Sequence, residues 1–160
     1  MICLPILNEN MSDLITFNYI NTKAKPTGVR KIKEFIPQIF KREKVLFESL
    51  NYVFCDDEYL LDINKRFLNH DYYTDIITFC LSPKDKSVVG EIYVSTDRVL
   101  ENSKACNVTY QDELLRVIFH GALHLCGYND KKKAETQLMR KMEDDLIKQY
   151  KSLISRGTVR

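Results

Sequence analysis

The sequence lacks the patterns that mark several large classes of protein. No apolar run approaches the about 20 residues that cross a bilayer, and the apolar piece near the start has neither a basic leader nor a small-residue cleavage site. We therefore expect no membrane span and no signal peptide. No repeat, low-complexity tract or glycine–serine linker interrupts the 160 residues. One domain is predicted over residues 14–155, after an N-terminal tail (residues 1–13) that is either frayed or precedes a true start at Met11.

Cysteine content and charge exclude two kinds of site and leave the binding partner open. The cysteines number five, an odd count, and none forms a C-x-x-C pair, which argues against a disulfide framework and against a cysteine-only zinc site. We expect buried thiols in a reducing cytoplasm. The 24 basic and 22 acidic side chains leave a net charge of +2, which neither requires nor excludes nucleic acid.

Strand and helix patterns alternate along the chain. Period-two and β-branched segments predict strands at residues 14–20, 45–55, 75–81 and 90–95, with a charged turn at residues 83–87 between the last two. Helical spacing and capping residues predict helices at residues 28–43, 57–67, 97–107, 110–126 and 134–155. This order indicates a mixed α/β or α+β domain, with a small, mostly four-stranded sheet packed with about five helices.

A proline, the capping residues and the apolar spacing give further expectations for these helices. Pro37 is expected to kink or split the first helix. Asp56 or Asp57 is expected to cap the second, Thr96 or Asp97 the third and Thr109 the fourth, with Gly127 ending the fourth. The residues expected to face the core are Leu60, Ile63 and Phe67 in the second helix and Leu138, Met142, Leu146 and Tyr150 in the last.

Two of the three histidines, His120 and His124, lie four residues apart in the fourth predicted helix. That spacing places both side chains on one face, one turn apart, where two imidazoles can bind one metal ion. The surrounding positions are apolar nearly all round, and Glu113 and Arg116 extend the histidines into a polar seam. Two neighbouring buried imidazoles without a partner would be costly, and a metal would satisfy both. The pair therefore predicts a metal site at the end of a buried helix.

The third ligand is expected from Asp130, which follows a turn at Gly127 and Tyr128. A carboxylate oxygen binds zinc at ~2.0–2.2 Å, and three protein ligands with one open position form the catalytic pattern. His70, the remaining histidine, could add a ligand or replace Asp130.

Two residues next to the histidine pair limit the reactions and the ligands that the site could have. Gly121 occupies the place where a zinc protease has its glutamate base, which argues against peptidase activity. Cys126 lies about 200° round the helix from His124, so it is expected to pack rather than to bind the metal.

Residues 120–130 read H-G-A-L-H-L-C-G-Y-N-D, which closely resembles the signature H-G-x-L-H-L-x-G-Y-D-H of the YbeY family of endoribonucleases. Upstream, Thr74–Phe79 is similar to the family's T-D-V-L-S-F segment, and Gly90–Ile92 to its G-D-I strand. Asn64, Phe67 and Met139 also match, so that the resemblance extends from Val53 to Glu143.

The resemblance implies a bacterial, cytoplasmic RNase that depends on one zinc ion per chain and acts on single-stranded RNA. It also implies processing of ribosomal RNA, especially the 3′ end of the small-subunit RNA, and a role in ribosome quality control. The implied partners are rRNA, the small ribosomal subunit and assembly factors, with no membrane and no DNA.

Two positions depart from the family's pattern. Asp130 stands where the family has its third metal histidine, and its negative charge should make the zinc a weaker Lewis acid. Leu68 aligns with the family's arginine, which is expected to hold an RNA phosphate. Arg66, two positions earlier, or Arg116, one turn before His120, could replace it, and the sequence leaves that choice open.

The loop before Thr74 carries His70, Tyr72 and Tyr73, on which bases of single-stranded RNA could stack. The same side chains could instead close the edge of the core. We predict metal-assisted phosphodiester cleavage in which His120 binds the metal and Arg66 or Arg116 stabilises charge. A ribosome-assembly factor with a structural zinc and a general metallohydrolase are the alternatives.

Overall fold

The protein is described from a computed structural model that covers residues 11–83 and 86–156. Within those residues a 3-10 helix, Met11–Leu14, precedes four strands and five α-helices. The strands are β1 (Ile15–Ile20), β2 (Phe47–Cys55), β3 (Ile76–Cys80) and β4 (Val88–Ser95). The helices are α1 (Val29–Arg42), α2 (Asp57–Leu68), α3 (Thr96–Ala105), α4 (Tyr110–Leu125) and α5 (Lys133–Arg156). Residues 1–10 of the predicted tail and residues 84–85 of the predicted charged turn lie outside the described residues.

The four strands form one mixed sheet in the order β1-β2-β4-β3. β1 pairs in parallel with β2, and β2 with β4, whereas β3 runs antiparallel to β4 at one edge. The predicted mixed fold, with a four-stranded sheet and five helices, is confirmed. No helix among the described residues is both long and apolar enough to cross a membrane.

The two faces of the sheet pack against different helices. Tyr52 and Phe54 of β2 face the larger core, to which α1, α4 and α5 contribute. Cys55 faces the other way and forms a smaller cluster with Leu60 of α2 and Ile77 of β3. This alternation is the period of two that a strand imposes on its side chains. Ten of the 16 residues of α4 are buried, so this helix is held firmly between the sheet and α5.

The helix ends follow the capping rules, with one correction. Asp56 Oδ1 accepts a hydrogen bond from the Tyr59 N–H at the start of α2, and Thr109 Oγ1 accepts one from the Asp112 N–H at the start of α4. The predicted cap of α3 at Thr96 or Asp97 is wrong by one or two residues. Ser95 is the cap, because strand β4 continues to Ser95 and the helix begins directly after it.

α1 runs unbroken from Val29 to Arg42, so Pro37 does not split it. Pro37 is itself buried, and the buried apolar residues on both sides of it place the two halves of the helix in the larger core. Tertiary packing of this kind supplies most of a helix's stability and outweighs a lost backbone hydrogen bond.

Two predictions of burial are wrong in part. In α5 the buried residues are Met139, Glu143, Leu146 and Tyr150, whereas Leu138 is 49% exposed. In α2 Phe67 is 66% exposed, with its ring edge-on to Phe79. The predicted burial of Leu146 and Tyr150 is confirmed, whereas Met139 and Glu143 are buried in place of Leu138 and Met142.

The expected burial of the cysteine thiols is confirmed for only some of the described cysteines. Among the four described cysteines, Cys55 is buried and Cys126 half-buried, but Cys80 and Cys106 are exposed. Cys80 is the last residue of the edge strand β3, and Cys106 directly follows α3.

Candidate metal centre

α4 brings His120 and His124 together near its C-terminal end. Their Nε2 atoms are 2.9 Å apart, and the two rings are nearly perpendicular, at 89°. The side chains keep 18% and 26% of their surface exposed. The pair is therefore held in the protein but open to solvent on one side.

Asp130 joins the histidines from the loop after α4. Gly127 adopts a positive φ of 98°, a conformation that glycine reaches without strain, and the chain turns back there. Asp130 Oδ2 lies 3.5 Å from His120 Nε2 and 3.6 Å from His124 Nε2. The Asp130 carbonyl accepts a 2.7 Å hydrogen bond from Thr136 Oγ1 in α5, which anchors the loop.

Both histidines direct their Nε2 atoms towards Asp130, because their Nδ1 atoms already form hydrogen bonds with other groups. His124 Nδ1 lies 2.9 Å from the Tyr128 carbonyl oxygen, which can only accept, so Nδ1 carries the proton. His120 Nδ1 lies 2.7 Å from Oε1 of the Glu143 carboxylate, where it donates in the same way. Each Nε2 then keeps a free lone pair for a metal ion, an arrangement found around histidine ligands in general.

The spacing of the three donor atoms fits one metal ion. Ligands of a tetrahedral zinc ion at ~2.0–2.1 Å lie about 3.3 Å apart. The corresponding distances here are 2.9, 3.5 and 3.6 Å. Within the described residues, His120, His124 and Asp130 form a group whose ligand atoms lie within 4.8 Å of one another. The group could therefore supply three ligands to one metal ion.

The two imidazoles differ in proton affinity. Burial lowers the pKa of His120, but the hydrogen bond and charge of Glu143 outweigh it, so the pKa of His120 is raised overall. Burial and then the neighbouring His120 lower the pKa of His124. His120 therefore keeps its second proton to a higher pH than His124 does.

A buried ion-pair network supports Glu143. Arg116 contacts Glu143 Oε2 at 3.1 Å, the exposed Asp144 at 2.8 Å and Glu113 at 3.8 Å. Glu113 and Glu143 are almost fully buried, and burial is the main reason why the pKa of Glu113 is raised. Arg116 offsets these charges and holds the Glu143 carboxylate against His120. The predicted polar seam of α4 therefore continues onto α5.

A groove of about 530 Å³ opens beside the metal centre. It runs along β3 and is lined by Asn64, Leu68, His70, Tyr72, Thr74, Ile76, Ile77, Thr78, Cys80, His124, Leu125, Asp130 and Lys131. Tyr72 is 57% exposed and stacks on His70, with a ring-centre distance of 5.1 Å. The buried Asn64 donates a 2.9 Å hydrogen bond to the Tyr72 carbonyl and ties this loop to α2.

The structure brings some of the predicted RNA-contacting residues to the groove and not others. His70 lies there, but its Nδ1 faces the Tyr72 hydroxyl at 3.0 Å, and it is not part of the metal-binding group. Tyr73 does not line the groove, since its hydroxyl donates to Glu58 at 2.6 Å and its ring lies under Arg98.

Neither arginine predicted to replace the family's arginine lies free in the groove. Leu68, at the family's arginine position, does line the groove. Arg66 lines neither cavity at the metal centre and pairs with Asp62 at 2.9 Å one turn earlier in α2. Arg116 is close to the metal centre, but its guanidinium is surrounded by carboxylates.

A smaller cavity of about 270 Å³ lies on the other side of the metal centre. Its lining residues are Asp75, Glu113, Arg116, Val117, His120, Asp130, Thr136, Met139, Arg140 and Glu143. Asp130 lines both this cavity and the groove. The three candidate ligands therefore separate two openings of different character, one apolar and aromatic, the other charged.

Gly121 faces the sheet rather than the metal centre. A Cβ atom at this position would lie 2.9 Å from Ile76 Cδ1 and 3.0 Å from Ile92 Cγ2. A protease-type glutamate therefore has no room here and would point away from the histidines. Cys126, the other neighbour discussed above, is half-buried against the core, and burial raises the pKa of its thiol to about 12.

Gly121→Val is expected to lower the free energy of unfolding by about 2–3 kcal/mol, because the added methyl groups overpack the contact with Ile76 and Ile92. Urea unfolding followed by circular dichroism measures the change. Gln137→Val introduces the same residue at an exposed position of α5 and should cost less than about 1 kcal/mol. Equal losses in the two variants would contradict the close packing inferred at Gly121.

Glu143 is the residue that sequence reasoning missed. A signal for it was present, because Glu143 lies at helical spacing from Met139, Leu146 and Tyr150, all of which are buried. A carboxylate in such a stripe indicates a buried partner. The unpaired polar seam of α4 was the obvious candidate for that partner.

The mixed sheet and the His–His–Asp group beside an open groove define a class, a small α+β protein with a candidate metal centre. A family model described as "Endoribonuclease YbeY" matches residues 13–151, and the chain belongs to this family. The resemblance inferred from the sequence motifs is confirmed, and the match is wider than Val53–Glu143. The expected enzyme class, an endoribonuclease among the hydrolases, is confirmed with it.

Comparison with known proteins gives similar relatives along most of the chain. The chain is 50% identical over 140 residues to "Endoribonuclease YbeY" of Flavobacterium psychrophilum, which covers 86% of this chain and 96% of the relative. It is 49% identical over 114 residues to the protein of the same name in Cytophaga hutchinsonii, covering 71% and 80%. The solution structure of TM1509 from Thermotoga maritima is similar in fold, with a TM-score of 0.60, 26% identity and coverage of 89% and 93%.

Proposed function

We propose that the protein is a zinc-dependent endoribonuclease that cuts single-stranded RNA. Its substrate is ribosomal RNA in the cytoplasm, above all the 3′ end of the small-subunit RNA, and it acts in ribosome quality control. The observation that carries this proposal is the approach of Asp130 Oδ2 to within 3.5 and 3.6 Å of the two histidine Nε2 atoms, beside an open groove. Family membership supports the choice of RNA as substrate.

His120, His124 and Asp130 are the proposed zinc ligands, through Nε2, Nε2 and Oδ2. Zinc held there would polarise a phosphoryl oxygen or lower the pKa of a bound water. Glu143 keeps the proton of His120 on Nδ1, so that Nε2 stays available, and Arg116 holds the Glu143 carboxylate in place. The Tyr128 carbonyl does the same for His124.

The groove suits single-stranded RNA because unpaired bases can stack on exposed rings. The stacked Tyr72 and His70 offer such a surface, and Lys131 supplies a positive charge on the same side of Asp130. Bases of a duplex are already stacked on each other and cannot use this surface. We place the ribosome, its small subunit and assembly factors among the partners, and expect neither DNA nor a membrane.

Cleavage of a single-stranded RNA that carries the small-subunit 3′ end is expected to slow at least about a hundredfold after treatment with a chelator, and to recover when zinc is added back. The measurement is a gel assay of end-labelled RNA, and the same RNA annealed to its complement serves as the control. Cleavage that resists the chelator, or cleavage of both forms alike, would contradict the proposal.

Leu68 favours one alternative, a non-catalytic RNA-binding factor with a structural zinc, because a neutral side chain lines the groove at the family's arginine position. That alternative predicts RNA binding and zinc-dependent melting without cleavage. A general metallohydrolase would instead turn over small chromogenic phosphodiesters and show no affinity for RNA.

A further inference from the structure

Neither arginine predicted from the sequence is free to bind an RNA phosphate at the metal centre, and Lys131 lines the groove but not the smaller cavity. Leu68 is neutral, and Arg66 is paired with Asp62 outside both cavities. Arg116 lines the smaller cavity, but Glu113, Glu143 and the exposed carboxylate of residue 144 surround its guanidinium at 2.8–3.8 Å. A guanidinium so engaged has no edge left for a bidentate phosphate contact.

Arg140 differs from these arginines in having no carboxylate partner in the part of the chain that the structure describes. It lines the smaller cavity together with His120 and Asp130. It lies on α5 one turn after Thr136, whose hydroxyl anchors the Asp130 carbonyl, and next to the buried Met139. Within residues 11–83 and 86–156, no acidic oxygen comes within the 4.0 Å of an ion pair with its guanidinium. Its N–H donors are therefore available to a ligand.

The charges around this cavity make phosphate binding there depend on Arg140. Four carboxylates line it, from Asp75, Glu113, Asp130 and Glu143, against two guanidiniums, from Arg116 and Arg140. A divalent ion at the proposed ligands brings the formal total to zero. Without Arg140 the cavity would be negative even when metal is bound, and a phosphate would be repelled.

We propose that Arg140 binds a phosphate of the RNA strand where it passes the metal centre, and so takes the part that an arginine in place of Leu68 would play. The inference rests on the proposed function. The bases lie in the groove against Tyr72 and His70, and the backbone crosses Asp130 into the smaller cavity. A planar guanidinium suits a phosphate because two parallel N–H groups match two oxygens.

The test compares Arg140→Gln with Lys141→Gln, which removes the same charge from the next residue of α5. Lys141 is exposed and lines neither cavity at the metal centre. The probe is a short single-stranded 2′-O-methyl oligoribonucleotide, and its binding to the zinc-loaded protein is measured by fluorescence anisotropy over a range of salt concentrations. A gel at the end of each titration verifies that the probe is intact, and elemental analysis verifies that both variants keep zinc.

Arg140→Gln is expected to weaken binding about tenfold, as loss of a charged hydrogen-bond partner does. It should also reduce the slope of log affinity against log salt by about 0.7, the value for one phosphate contact on a single strand. Lys141→Gln should change neither quantity appreciably, and Arg140→Lys should recover part of the affinity because it keeps the charge without the paired N–H groups.

Equal binding by Arg140→Gln and Lys141→Gln, or no binding by the wild type, overturns the inference. The proposed function is judged separately, by cleavage of unmodified RNA. A wild type that binds the probe through Arg140 but never cuts RNA would refute the nuclease and leave the phosphate contact standing. If the wild type cuts RNA but Arg140→Gln binds the probe as tightly as the wild type does, the nuclease stands and the phosphate contact is refuted.

Discussion

His120→Ala protein is expected to be isolated without zinc and to cut single-stranded RNA at least about a thousandfold more slowly than the wild type. The reason is that two remaining ligands do not hold the ion, and the loss of its charge removes several kcal/mol of transition-state stabilisation. His124→Ala and Asp130→Ala should behave alike, because the three donor atoms lie within 4.8 Å of one another. Elemental analysis and single-turnover cleavage of labelled RNA measure the two effects.

His70→Ala is the matched control for this experiment, because it removes the remaining histidine from the same groove without touching the ligand group. It should keep one zinc per chain, with any effect confined to RNA affinity. Full zinc content in His120→Ala, or zinc loss in His70→Ala, would show that the ligand set is wrong.

Glu143→Ala is expected to lower zinc affinity about 10- to 100-fold, although Glu143 does not touch the ion. Removal of the carboxylate frees the His120 ring to turn and leaves its Nδ1–H without the 2.7 Å acceptor. The free energy of unfolding should fall as well, by about 1–3 kcal/mol, because a buried donor loses its partner. Competition with a chromogenic chelator measures the affinity, and urea unfolding measures the stability.

Two further variants separate this effect from a general loss of charge on α5. Glu143→Gln keeps the shape and an acceptor oxygen, so zinc affinity should fall less. Asp144→Ala removes the exposed partner of Arg116 but touches neither histidine, so zinc affinity should stay unchanged. If Asp144→Ala and Glu143→Ala were equally impaired, Glu143 would have no special part in orienting His120.

The histidine pair and its returning carboxylate could be predicted because their geometry is local. Four residues on a helix amount to about one turn, whatever the rest of the chain does. Gly127 indicated where the chain turns back, and Asp130 follows three residues later. The same local rules gave the caps at Asp56 and Thr109. Nothing in these features depends on a contact between distant segments.

Glu143 could not be assigned in this way, because its role depends on a residue 23 positions away in another helix. In a pattern of hydrophobicity a buried carboxylate looks like a solvated one, so Leu138 and Met142 were preferred as the core face of α5. The spacing along α5 indicates that Glu143 is buried, but only the packing of α4 on α5 shows its contact with His120. The ion pair with Arg116 makes that burial tolerable.

Side-chain direction explains why some of the predicted RNA-contacting residues do not reach the groove. Tyr72 and Tyr73 are neighbours, but one reaches the groove and the other turns to Glu58 and Arg98. Arg66 likewise lies two residues from Leu68 and projects from a different side of α2. The exposure of Cys80 follows from the position of β3 at the sheet edge, which strand order decides and local sequence does not.

Because Asp130 borders both the groove and the smaller cavity, a strand severed at this aspartate would leave one fragment on each flank. Each fragment would then have its own way out to solvent, and neither would have to slide past the point of scission. With two exits, both fragments can leave after an internal cut. An enzyme that cuts within a long polymer requires this.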